Sequence, residues 1–119
     1  MAGTPKVLEY LTTHYGVVKM SNTKANLIAQ IREAYSSNAF VEVTIWQVPQ
    51  PVPGCTHSYK YRLAYVVSKV CVLRYDNEQG KGDHRHFVDG ETPYEFSSVE
   101  RIYSDFLTDV NRWNRWRLR

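Results

Sequence analysis

Apolar and polar residues alternate with a period of two along most of the chain, and the period shifts to about 3.6 only near the C-terminus. The clearest strand is Phe40-Val41-Glu42-Val43-Thr44-Ile45-Trp46-Gln47-Val48, rich in β-branched and aromatic residues. The turn residues Ser36-Ser37-Asn38 precede it, and Pro49-Gln50-Pro51-Val52-Pro53-Gly54 forbids regular structure after it. Residues 59–67 form the next strand, with Tyr61, Leu63 and Tyr65 on one face and Lys60, Arg62 and Ala64 on the other. Residues 70–76 follow, with Cys71, Leu73 and Tyr75 opposed to Val72, Arg74 and Asp76. Little more than Ser68-Lys69 joins these two strands, which predicts a hairpin. A two-residue turn would pair Leu63 with Arg74, mixing core and charge. A three-residue loop pairs Leu63 with Tyr75 and Arg62 with Asp76. A one-residue slip moves every side chain to the other face, so the apolar pattern selects the second register.

Residues 24–32 alternate less cleanly. Leu27, Ala29 and Ile31 oppose Asn26, Gln30 and Arg32, while Ile28 breaks the pattern and leaves a short helix as the alternative. Residues 77–82 read as a loop, 83–88 as a fifth strand and 89–93 as a turn. Ser97 with Glu100 three residues on fits a capping box. Beyond it Val99, Ile102, Tyr103, Phe106, Val110 and Trp113 recur at helical spacing. Strands followed by one helix give an α+β fold, an antiparallel meander of about five strands packed against a long C-terminal helix. Near the start, Val7, Leu8, Leu11 and Tyr15 could line one face of a short helix. The division expected is an N-terminal extension over 1–19 and a single α+β domain over 20–119.

Composition narrows the class. A chain of 119 residues suits one domain, and no apolar run approaches the ~20 residues of a membrane span. The N-terminus lacks a basic-then-apolar export pattern. Cys55 and Cys71 have neither metal-ligand spacing nor a disulfide framework, which points to a reducing cytoplasm. The net charge of +3 is unevenly spread. Lys60, Arg62, Lys69, Arg74, Lys81 and Arg85 crowd one stretch, acids dominate 89–111, and Arg112, Arg115, Arg117 and Arg119 end the chain. Local basic clusters favour nucleic acid; a solvated surface and a helix end are the plain alternative.

Chemistry-bearing groups are densest over residues 74–86. Gly80-Lys81-Gly82 is not a nucleotide-binding P-loop: the earlier glycine is missing and Asp83 stands where Ser or Thr would hold magnesium. A turn of this kind can still aim N–H groups and an ammonium at a phosphate. His84 and His86 project from one side of a strand. That suits acid–base catalysis, or a metal pair with Asp83 or Asp76 as third ligand. The surrounding Lys81, Arg85 and Arg74 oppose a dication, so a metal-free, cofactor-free site is expected. Lys60, Arg62 and Arg74 share one sheet face and offer a phosphate-holding floor; charge balance with Asp76 and Glu42 is its bland counterpart. The candidate catalytic set is thus His84, His86, Lys81, Arg74 and Tyr75, with Lys60, Arg62, Arg85, Asp76 and Asp83 in substrate binding.

Several segments together resemble the TumE family, toxins of bacterial type II toxin–antitoxin pairs. They are Phe40 to Pro49, Pro51-Val52-Pro53-Gly54, Tyr59 to Tyr65, Arg74 to His86, Pro93-Tyr94-Glu95-Phe96 and Ser98-Val99-Glu100-Arg101. The resemblance spans about 24–112, and its most specific part is the run from Tyr75 to His86. It implies a small cytoplasmic toxin, a cognate helix-turn-helix antitoxin as partner, and RNA or the translation machinery as target. A second copy of the chain is a further candidate partner. The meander-plus-helix layout is similar to RelE-like toxins at the level of fold only. The expected activity is metal-independent RNA cleavage. A non-catalytic module gripping RNA, ribosome or DNA, and a metal-dependent nuclease, are the alternatives.

Overall fold

The computed structural model describes residues 25–77, 80–88 and 90–117. Six strands form one sheet in sequence order: β1(Asn26–Ser36), β2(Ala39–Gln47), β3(Tyr59–Val67), β4(Val70–Asp76), β5(His84–Phe87) and β6(Gly90–Pro93). Every neighbouring pair is antiparallel. Among the described residues one helix, α1(Val99–Arg117), crosses one face. The α+β meander read from the pattern is therefore the fold. Expectations for residues 1–24 lie outside the described residues.

Three local details differ from the pattern reading. Residues 90–93 are a strand, not a turn; β6 is short and exposed throughout, so no apolar alternation marks it. The β3–β4 pairing is the expected one, Arg62 opposite Asp76 and Leu63 opposite Tyr75. Yet the loop has two residues, Ser68 and Lys69, both left-handed at φ 50° and 68°, the conformation whose twist matches a hairpin. The ladder slips between Tyr65 and Val66, where Val72 is the extra residue, and this bulge restores the register. Ser98, not Ser97, caps α1: its Oγ accepts the Arg101 N–H at 3.0 Å.

The α1 side of the sheet is the core. Val41, Val43, Ile45, Tyr61, Leu63, Tyr65, Leu73 and Tyr75 meet Ile102, Phe106, Val110 and Trp113 there. The helix stripe fits because those four positions recur on one side of α1. Polar ties fix its rotation: Tyr65 Oη donates to Asn114 at 2.7 Å, and Tyr94 Oη to Asp105 at 2.6 Å. Among the described residues no helix is long and apolar enough to cross a membrane.

Candidate active site

Alternation sends the charged positions of the central strands to the face away from α1. Arg62 stands opposite Asp76, Asp76 opposite His84, and Arg74 opposite His86. Glu91 of β6 completes the row beside His86. A continuous strip of acids, imidazoles and guanidinium groups thus crosses four strands.

Asp76 is its centre. Its side chain is only 8% exposed, and Oδ1 lies 2.5 Å from Nε2 of His84, itself 4% exposed. The other oxygen, Oδ2, lies 2.9 Å from Arg74 Nε. Close as they are, Asp76 Oδ1, His84 Nε2 and Arg74 Nε all lack a partner in hydrogen-bond direction. The Arg74–Asp76 approach is thus a charge contact and not an aligned bond. His84 Nδ1 is 3.0 Å from the Gly82 carbonyl oxygen. A carbonyl only accepts, so Nδ1 carries the proton and Nε2 is the atom turned on Asp76.

His86 has a different setting. Its Nε2 lies 2.9 Å from an Arg74 terminal nitrogen, 3.2 Å from Glu91 Oε2 and 4.0 Å from Asp76 Oδ1. Arginine only donates, so Nε2 accepts from Arg74 and presents a lone pair. Burial, then the Arg74 charge, pushes the His86 imidazole below its ordinary value. The two rings meet edge to face, centroids 4.9 Å apart. On the same face, burial lowers the Lys60 amine to about 8, and Arg62 leans on Glu42 at 3.7 Å.

Other expected site residues lie elsewhere. Tyr75 and Arg85 occupy the α1 face, where both hold Asp109 Oδ2, at 2.5 and 2.7 Å. Burial and the Asp109 bond raise the Tyr75 phenol well above its ordinary value. Asp83 joins a separate knot at the strand ends: its Oδ1 accepts from Tyr61 Oη at 2.5 Å and meets His57 Nε2 at 2.8 Å. Lys81 is exposed at a loop tip. The glycines beside it serve the backbone: Gly80 and Gly82 have φ 83° and 76°. Gly82 packs so tightly on Gly54 that a Cβ would meet the Gly54 oxygen at 3.0 Å.

Sequence reasoning missed Glu91, His57 and Asn77. Asn77 is fully buried where β4 ends, and its side chain accepts the Tyr61 N–H and donates to the Tyr59 carbonyl. It thereby extends the β3 ladder by one side chain. Only the asparagine directly after a strand was available as a signal.

Among the described residues two constellations have metal-ligand chemistry: Asp76, His84 and His86, and Cys55, His57 and Asp83. In the second, the Tyr59 N–H donates to His57 Nδ1, which puts the ring proton on Nε2, facing Asp83. That network is satisfied by hydrogen bonds, and burial raises the Cys55 thiol.

Compared with known families, the chain matches the one described as Toxin TumE over residues 7–114. The match begins well inside the stretch expected as an extension. No curated protein and no solved structure matches.

Proposed function

The chain belongs to the TumE toxin family, and from this premise we propose that it arrests growth by metal-independent cleavage of RNA at the Arg74–Asp76–His84–His86 strip. The observation that carries the reading is the state of His86. It is a partly exposed, neutral imidazole whose lone pair is held by the same guanidinium that contacts Asp76.

A phosphodiester arriving on this face offers Arg74 a better partner than an imidazole, because guanidinium grips phosphate oxygens in two parallel bonds. Arg74 then turns from His86 to the phosphate, and the Nε2 lone pair is released when substrate is present. His86 takes the 2′-hydroxyl proton. The 2′-oxygen attacks phosphorus, the bond to the 5′-oxygen breaks, and the Lys60 ammonium gives that oxygen a proton. Arg62 and Arg74 balance charge on the pentacoordinate phosphorane. Asp76 and His84 do not touch substrate; they hold Arg74 and the second ring in place. Lys81 contacts a flanking phosphate. Tyr75, Arg85 and Asp83 have no part in this reaction. A helix-turn-helix antitoxin covering the strip would neutralise the toxin.

The test is purified protein with total RNA and with DNA of the same length. Cleavage should leave 2′,3′-cyclic phosphate and 5′-hydroxyl ends, spare DNA and survive EDTA. His86→Ala should lower the rate about 10²–10⁴-fold without loss of fold. An undiminished rate in that variant would remove His86 from the reaction. RNA bound but uncut, with affinity falling steeply with salt, would replace catalysis by the binding-module reading.

A further inference from the structure

We propose that Asp76 Oδ1, His84 Nε2 and His86 Nε2 form a binding site for a zinc-class transition-metal ion, and that its occupation disables the base. The blocking role rests on the cleavage reaction above; the site itself does not.

Two of the three donor atoms, Asp76 Oδ1 and His84 Nε2, are buried and lack a hydrogen-bond partner. Unsatisfied buried polar atoms are costly, and a cation shared by these two, which converge to 2.5 Å, would satisfy both. All three donors lie within 4.8 Å of one another. His84 has the arrangement of a metal-ligating histidine, its other ring nitrogen donating to the Gly82 carbonyl and fixing the tautomer. Tetrahedral zinc with bonds of about 2.1 Å spaces its ligand atoms roughly 3.4 Å apart. The observed Asp76–His84 and Asp76–His86 separations, 2.5 and 4.0 Å, straddle that value, so side-chain shifts of about 1 Å complete the shell.

Charge and donor type agree. Asp76 and Glu91 bring two negative charges to the donor atoms, where Arg74 is the cation in contact; Arg62, opposite Asp76, is turned to Glu42. Glu91 Oε2, 3.2 Å from His86 Nε2, supplies the fourth ligand or holds a water in that place. Arg74 can leave His86 and keep its Nε against Asp76 Oδ2. Imidazole and carboxylate together favour zinc over magnesium or calcium, which take oxygen donors. Once bound, the ion occupies the His86 lone pair, the atom that receives the 2′-hydroxyl proton in the reaction above.

Calorimetry of the full chain with zinc sulfate in chelator-free buffer tests the site, and cobalt(II) absorption reports its geometry. One ion should bind per chain, with the intense visible bands of tetrahedral cobalt, and magnesium chloride should give no heat. His86→Ala, partly exposed and so tolerant of change, and His84→Gln should each weaken binding roughly 10–100-fold or more. His57→Gln should leave it unchanged. Absence of zinc binding, equal binding in His86→Ala, or loss confined to His57→Gln overturns the site. Equimolar zinc should stop RNA cleavage and EDTA restore it. Cleavage abolished by EDTA and restored by zinc would overturn both the metal-free reaction and the blocking role while leaving the site standing.

Discussion

At the scale of the residue, small changes of setting divide chemically equal side chains into different roles. His84 and His86 are two positions apart on one strand, yet one is buried against a carboxylate and the other faces a guanidinium. Gly82 sets this difference, because its carbonyl holds His84 Nδ1. Gly82→Ala combines a left-handed φ of 76° with a Cβ 3.0 Å from the Gly54 oxygen. It should lose about 1–3 kcal/mol in urea unfolding and lower cleavage more than the lost stability explains. Lys60 gives a pH signature. Burial brings its amine down to about 8, so it is charged below that value and neutral above. RNA affinity should fall as pH rises through about 8, and Lys60→Met should flatten that step in a binding titration. An unchanged step would assign it to another group. The Lys60 shift and the exposure of His86 belong to packing and could not be read from residue names.

Among the elements, α1 and the β3–β4 hairpin show how local rules compete. Ser97 and Ser98 both precede the helix, and the capping-box spacing favours the first. The structure uses the second, because the Arg101 N–H reaches Ser98 Oγ. Ser98→Ala should therefore cost about 1 kcal/mol in thermal or urea unfolding, while Ser97→Ala should cost a few tenths at most; the reverse order would return the cap to Ser97. In the hairpin, apolar pairing decided the register and the turn did not. Two left-handed residues make the tight turn, and the Val72 bulge absorbs the mismatch. Pairing was legible because burying Leu63 against Tyr75 outweighs local preference. The bulge was not, since no glycine or other residue announces it. β6 escaped notice for a related reason: four exposed residues carry no alternation, and only the β5 edge makes them a strand.

For the whole molecule, one sheet separates two tasks. The α1 face is core, and the opposite face carries the ionic strip. Tyr75 and Arg85 illustrate the division: each neighbours a strip residue in sequence, yet both hold Asp109 of α1. Tyr75→Phe should lose about 1 kcal/mol of stability with the Asp109 bond and leave RNA cleavage at the wild-type rate; a large loss of rate at full stability would place the phenol in the reaction after all. That separation was already in the sequence, because successive residues of a strand point to opposite faces. Periodicity by itself determined the α+β class, the β3–β4 register, the helix stripe, the common face of Lys60, Arg62 and Arg74, and that of His84 with His86; the β4–β5 register joined the two. These follow from repeats of 2 and 3.6 residues, which the chain carries locally. The run from Tyr75 to His86 likewise carried the family. Only the tertiary structure decided that Asp76 sits between Arg74 and His84, that Glu91 reaches His86, and that Asp83 is spent on His57 and Tyr61. Each of these joins residues from different strands or loops. The first two depend on which strands the ladders set side by side, and beside the third lies the approach of Gly54 to Gly82, a contact between backbones that no local pattern encodes.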